Sequence, residues 1–220
     1  MNYGIPSSGE ALSYQGAQLV ITMIVSSLGA NVLIAKSYVQ AVSQLISLCA
    51  SAISQGNQII VGRKVGAKNY LYDKKQGYRS MSIGIIVSLI LCILVCVFSD
   101  SLMHIFTNNQ EVMQIAREVF LIAIILESAR AVNMVLVGSL NASGDVKYPL
   151  FCSLIVLWGI SLPFSYFLAI HLHLGLVGVW LAYAIDETLR SMLMIKRWQS
   201  NIWQKQSINR SENLLNNSCE

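Results

Sequence analysis

Six apolar runs of bilayer-crossing length, divided by short polar connections, confine this chain to one broad class of fold. Hydrocarbon about 30 Å thick offers no partner to a backbone N–H or C=O, so a run of roughly 20 apolar residues must satisfy its own backbone, as a helix does. The runs are expected at about 7–28, 32–62, 77–98, 112–140, 148–170 and 175–195. The expected fold class is therefore all-α, a polytopic membrane protein with six transmembrane helices. Composition excludes the soluble alternative: 55% of residues are hydrophobic and 12% charged, where soluble domains carry about a quarter charged. The second run exceeds what a bilayer needs and should tilt or project, and Pro163 inside the fifth should kink it.

Charge orients the runs. Arg63, Lys64, Lys68, Lys74, Lys75 and Arg79 crowd the connection between the second and third runs, and basic crowding of that kind marks the cytoplasmic side. The segment Ser99 to Gln110 holds no lysine or arginine and is expected outside. Lys147, after the turn cluster Asn141-Ala-Ser-Gly-Asp145, and Lys196-Arg-Trp198 return to the inside. Eleven of the fifteen lysines and arginines lie in or beside inner segments, so the expected location is the cell membrane, multi-pass, with both termini cytoplasmic and the lipid bilayer as partner. The net charge of +4 is then a topology signal. No nucleic-acid partner is expected, because the positive residues flank apolar runs and form no basic face. No cleavable signal peptide is visible, since no basic region precedes the first run. The polar, asparagine-rich stretch 199–220 is expected to be a disordered tail. Cys49, Cys92, Cys96 and Cys152 sit inside apolar runs and read as small buried residues; with Cys219 they show neither metal nor disulfide spacing.

Polar residues inside the runs carry the functional signal, since each is costly in hydrocarbon. In the second run Lys36, Gln40, Gln44, Ser47, Ser51, Gln55 and Gln58 recur at steps of three and four and so share one helix face. Such a stripe either glues helices together through hydrogen bonds or lines a water-filled cavity. Its length favours the cavity. In the first run Glu10, Tyr14 and Gln18 repeat at a spacing of four. Glu10 either complements the positive end of its helix or binds a proton, a metal cation or a cationic substrate. Glu127 falls near the middle of the fourth run with Arg130 three residues on, as a buried ion pair or as a functional site. An ionised side chain there costs about 2.5–3.5 kcal/mol on insertion scales. Asp186, Glu187 and Arg190 can pair similarly, and their nearness to the inner interface favours a structural role. His104, His171 and His173 sit in outer connections without the carboxylate or cysteine neighbours of metal or nucleophilic catalysis, so no enzymatic activity, catalytic residue, metal or cofactor is expected.

Four stretches bring a family into view: Gly4-Ile-Pro-Ser-Ser-Gly-Glu10, Gln55-Gly-Asn-Gln-Ile-Ile-Val-Gly-Arg-Lys-Val-Gly-Ala67, Asn141-Ala-Ser-Gly-Asp145, and Gly175-Leu-Val-Gly-Val-Trp180 with Asp186-Glu187. In order and spacing they resemble the multidrug and toxic compound extrusion (MATE) family, in its C-terminal half and a bacterial branch. The resemblance implies one six-helix lobe of a two-lobe transporter, exporting organic cations or drugs in antiport with sodium ions or protons by alternating access. It implies a cation-coupling or substrate-charge role for Glu10, the acid of the opening helix, and makes Glu127 the nearest candidate for the acid of the fourth helix. Arg130 stands about where an aspartate of the sodium-coupled members would fall. The substrate- or cation-binding residues expected are Glu10, Tyr14, Gln18, Gln40, Gln44, Gln55, Glu127 and Arg130. Met1 stands only a few positions before the first run, so the N-terminal lobe is expected to be absent. A fragment or interrupted gene, or a split transporter with its other half on a separate chain, is favoured over a homodimer. Two further readings are an inactive remnant or non-transporting membrane subunit, and a lipid-precursor flippase of related fold. The flippase predicts several cavity-facing arginines, where mainly Lys36 and Arg130 are found.

Overall fold

The structure is a computed structural model that describes residues 4–67, 70–200 and 202–204. Among them seven helices follow in order: α1 (Gly4–Ser26), α2 (Ala30–Gly66), α3 (Tyr70–Val97), α4 (Ser99–Phe106), α5 (Gln110–Ala142), α6 (Lys147–His171) and α7 (Gly175–Gln199). No strand occurs among the described residues. Four of these, Ala30–Val65 in α2, Lys74–Val97 in α3, α5 and α6, are long and apolar enough to cross a membrane. α7 is as long but carries Asp186, Glu187 and Arg190 at its centre, and the described side chains of α1 begin at Leu12.

Helices cover the apolar runs, with differences at the ends. The turn before α2 falls two residues earlier than expected, at 27–29, because Gly29 adopts φ 121° and α2 starts at the next residue. Only glycine takes that conformation without strain. The basic connection between the second and third runs is mostly helix. α2 continues to Gly66 and α3 begins at Tyr70, so at 1.5 Å per residue α2 extends about 55 Å and projects beyond the hydrocarbon. The segment expected outside folds in part as the short helix α4. There Arg117 hydrogen-bonds Asp100 and holds its carboxyl below the usual carboxylate range. α5 opens on a capping interaction, Asn109 Oδ1 accepting from the Glu111 N–H at 3.0 Å. Glu111 in turn accepts from Asn31 at 2.6 Å, tying the N-terminal end of α5 to the start of α2.

Pro163 is accommodated without breaking α6. The segments Leu157–Ser161 and Phe167–His171, one on each side of it, widen to π-helical turns, a common way for a helix to absorb a disrupted hydrogen-bond ladder. Of the stretch expected as a tail, Ile202–Gln204 are helical and Trp203 is fully buried, its ring stacked on Trp198 at 4.4 Å. Residues 205–220 lie outside the described residues. Among the cysteines, Cys92 is buried and Cys96 and Cys152 partly so, but Cys49 is exposed on α2, contrary to expectation.

α5 is the hub, packed against α2, α3 and α7. Small residues bring the backbones close, as they do where lipid provides no hydrophobic drive between helices. A Cβ on Gly138 would fall 2.6 Å from Ser54 Oγ, which itself donates to the Met134 carbonyl at 2.7 Å. Asn57 donates to Ser139 at 2.7 Å a turn further on. Two apolar cores result. One gathers Ile21, Val39, Phe120, Leu126, Val179 and Trp180, and the other Val61, Leu136, Leu140, Met194 and Trp198. Between them, at mid-length of α5 and α7, runs a layer of charged and polar side chains.

The tightest backbone approach yields a test. A Cβ on Gly178 would lie 2.7 Å and 2.8 Å from the carbonyl carbon and oxygen of Leu168, which are backbone atoms that cannot swing aside. Gly178→Leu should therefore cost about 1–3 kcal/mol or more of overpacking strain. Gly16→Ala, where nothing lies within 4 Å, should keep stability or raise it by up to about 1 kcal/mol, because alanine is the better helix former. The comparison is the apparent melting temperature in detergent; equal values for the two variants would mean that α6 and α7 do not meet at Gly178.

Candidate functional site

The polar layer surrounds a hollow of about 60 Å³, room for roughly four waters. α1 contributes Tyr14 and Gln18, α2 Gln40, Ser43, Gln44 and Ser47, α5 Leu126 and Arg130, and α7 Trp180 and Tyr183. Four helices separated in sequence thus converge on one point. Helical period explains each contribution: Gln40, Gln44 and Ser47 lie on one face of α2, Tyr14 and Gln18 on one face of α1, and Trp180 and Tyr183 on one face of α7.

At the floor stands an ion triad. The Arg130 guanidinium donates from Nη1 to Glu127 Oε1 at 2.6 Å and from Nε to Glu187 Oε1 at 3.3 Å. Asn133 donates to the other oxygen of Glu187 at 2.9 Å. Glu127 is 1% exposed, whereas the Arg130 side chain keeps 21% of its surface open. The arginine therefore faces the hollow with a carboxylate behind it. At the side, Tyr183 donates its hydroxyl to Gln18 Oε1 at 3.1 Å, and the Trp180 and Tyr183 rings meet edge to face at 5.7 Å. Lys36 is buried further along α2, where its ammonium bonds Thr22 at 2.5 Å. The indole N–H of Trp180 is buried without a hydrogen-bond partner among the described residues.

The residues expected from sequence are distributed as follows. Tyr14, Gln18, Gln40, Gln44 and Arg130 line the hollow together. Glu127 supports it from behind. Gln55 is not part of it: it lies about three turns further along α2, exposed, with its amide on Ser51 Oγ at 3.2 Å. Glu10 belongs to the helical backbone of α1, and its side chain lies outside the described residues. Asp186 and Arg190 pair with each other through two hydrogen bonds of 2.5 and 3.1 Å. Glu187 does not join them. It turns to Arg130 on α5, because adjacent helix positions point about 100° apart. Sequence reasoning also missed Asn133, Ser43 and the role of Tyr183. The spacing Trp180, Tyr183, Glu187 is a one-face pattern that carried this signal.

The triad makes a prediction. Arg130→Met leaves the buried Glu127 and the partly buried Glu187 without their cation and should destabilise by about 3–5 kcal/mol, the cost of breaking a buried pair from one side. Adding Glu127→Gln to that variant should recover part of the loss. Thermal unfolding in detergent of the single and double variants measures the coupling, and strictly additive effects would contradict the pairing.

The chain matches the MatE family over residues 6–167. It is 37% identical to "Uncharacterized transporter YisQ" of Bacillus subtilis (strain 168) over 203 residues, 92% of this chain and 45% of that protein. It is 27% identical to "Multidrug resistance protein NorM" of Aliivibrio fischeri over 181 residues, 80% of this chain and 39% of that one. Among solved structures, the "MATE transporter ClbM in complex with Rb+" superposes with a TM-score of 0.83 at 18% identity, covering 93% of this chain and 48% of that one. The Vibrio cholerae MATE transporter VcmN, in its bent form, gives a TM-score of 0.80 at 21% identity over 95% of this chain and 46% of that one. The chain thus spans about half the length of the relatives it matches.

Proposed function

The chain belongs to the MatE family, whose members are membrane transporters and not enzymes, and from that footing we propose that it is one lobe of a secondary drug-efflux transporter. The lobe exports small organic molecules, drugs and organic cations among them, in exchange for sodium ions or protons. The observation that carries this reading is the hollow itself. A polar site built from four helices at the middle of an otherwise apolar lobe is what alternating access requires, since a substrate must be held midway between the two faces. A packing contact needs one or two polar residues, whereas this site holds an ion triad, two tyrosines and three glutamines.

At about 60 Å³ the hollow is smaller than the roughly 300–1,000 Å³ of drug-sized pockets. A second surface facing Gln40 and Gln44 therefore has to complete the binding site, and the N-terminal lobe of a two-lobe transporter is the proposed partner. Glu10 is the proposed seat of the coupling cation or of the substrate's positive charge, being one turn from Tyr14 on the same face of α1. A flippase reading gains nothing from the site, where Arg130 supplies the single guanidinium among the described lining residues.

Efflux from inverted membrane vesicles carrying the assembled transporter tests the role of Glu10. Glu10→Gln should slow export of a cationic dye at least about tenfold at equal expression, the scale of losing an interaction with a charged group. Unchanged efflux would remove Glu10 from the mechanism. The orientation with both termini inside is checked separately in a cysteine-free background. Lys75→Cys should react with a membrane-impermeant maleimide only after lysis, and Ser101→Cys on intact cells; the reverse pattern would invert the topology.

A further inference from the structure

The open face of α3 is divided by chemistry. From Lys74 onward, the exposed side chains of this helix run from Lys75 and Arg79 through Ser82 to six aliphatic residues between Ile83 and Val97. At about 100° per residue all of them fall within an arc of about 120°. One stripe is thus basic where it starts and aliphatic for the last 21 Å or so of its length. α3 is long and apolar enough to cross a membrane, and it is the least buried of the four such helices.

The packing of α3 decides what covers the stripe. Its glycines point inward: a Cβ on Gly84 would lie 3.6 and 3.7 Å from Val135 and Ala131 of α5, and one on Gly77 would lie 2.8 Å from the Trp198 indole. Helices that pack together in lipid do so over small residues, and the stripe holds one such residue, Ser82. Branched aliphatic side chains without small neighbours suit acyl chains instead. The stripe also lies apart from the hollow, to which α3 contributes no described lining residue, so what binds there is independent of the transport reading.

The basic pair at its start lacks counter-ions. Neither Lys75 nor Arg79 has a hydrogen-bond or ion-pair partner among the described residues. Asp145, at the same end of the bundle, is buried and engaged by Arg197. Asp73, whose side chain lies outside the described residues, stands two positions before Lys75 and six before Arg79, so it points about 160° from the one and about 120° from the other. Helix geometry aims the pair at the headgroup layer, because Cα–Cβ bonds tilt toward the N-terminus and α3 begins at the basic end. Arg79 starts about 6 Å deeper than Lys75, within the reach of a side chain that snorkels. A guanidinium fork can hold one phosphate through two parallel hydrogen bonds, and an ammonium one turn away adds a point charge. A choline or ethanolamine headgroup would bring its own cation against this pair; a glycerol headgroup would not.

We propose that the basic end of the α3 stripe is a binding site for an anionic phospholipid, its phosphate held by Lys75 and Arg79 and its acyl chains laid along Ile83, Ile86 and Ile90.

Bimane attached to Ser82→Cys in the cysteine-free full chain reports the lipid beside the stripe. The protein is reconstituted in mixtures of phosphatidylglycerol and phosphatidylcholine, one or the other carrying brominated acyl chains, and quenching gives their relative binding. Phosphatidylglycerol should be preferred about fivefold or more, the equivalent of one basic residue's attraction to an anionic surface. Lys75→Gln with Arg79→Gln should bring the two lipids to within about twofold of each other. Lys147→Gln with Lys196→Gln, exposed at the same end on other helices, should leave the preference intact. Unchanged elution profiles and unchanged quenching by phosphatidylcholine show that the variants fold. Equal quenching by the two lipids would overturn the site, as would equal loss in both double variants, the mark of a diffuse potential. Absence of quenching by either lipid would overturn it too, because protein would then cover the stripe. Glycerol phosphate in solution should not displace the lipid; displacement would make this a site for a soluble anion and sink the proposal.

Discussion

One guanidinium, that of Arg130, holds the interior of this lobe together. It lies at mid-length of a helix that crosses the membrane, where an ionised group is costly, and it bridges Glu127 on its own helix to Glu187 on α7. Neither carboxylate has a comparable alternative, because Asp186 and Arg190 are already committed to each other. The bridge therefore fixes the rotation of α5 against α7 as well as their separation, since a turn of either helix about its axis would strand a charge in hydrocarbon. Packing alone would not set that rotation. The two apolar cores above and below consist largely of aliphatic side chains, which tolerate small shifts more readily than an ion triad does.

The polar layer also explains the close approaches around it. Helices that meet over glycine and serine at Gly138, Ser54 and Ser139 bring the polar faces of α2 and α5 within hydrogen-bonding reach. α6 packs against α7 along its length, with π-helical turns flanking Pro163 and the tightest backbone approach at Gly178. α6 contributes no described lining residue to the hollow. At the other end of α7, Trp198 donates to the Lys74 carbonyl at 3.4 Å and stacks on Trp203, while Arg197 pairs with Asp145 at 2.6 Å. These contacts join the ends of α3, α5 and α7 at the side where the basic residues cluster.

Much of this was legible in the sequence, and physical reasons separate what was from what was not. Apolar run length located the helices because a bilayer imposes it, and the stripe on α2 was visible because polar residues at helical spacing are rare in a hydrophobic run. Glu127 with Arg130 could be read as a pair because both lie on one helix, three residues apart. The partner of that pair could not. Glu187 is 57 residues from Arg130, and its own neighbours Asp186 and Arg190 offered a complete local pairing that used it up. The Tyr183 to Gln18 bond spans 165 residues and leaves no mark in either helix alone. Gln55 was assigned to the site because the stripe continues past it; at that level α2 meets α5 through its neighbouring face, by Ser54 and Asn57, which leaves Gln55 exposed. Tail composition masked Trp203, one aromatic in a polar stretch, whose burial depends on a ring at Trp198.

The face of α2 that carries the stripe changes character along its length. Lys36 is buried against α1, Gln40 and Gln44 are exposed yet border the hollow, and Gln55 and Gln58 are exposed beyond it. Glutamine amides left open at mid-membrane depth need water or a second protein surface, because lipid cannot satisfy them. Ile34, Leu45 and Leu48, on the remaining exposed surface of the same helix, suit lipid or a packed neighbour instead. α2 therefore separates an apolar exterior from a polar interior. The polar hollow thus lies on the side of α2 where the glutamines stand, with the exposed aliphatic residues of the same helix turned away from it.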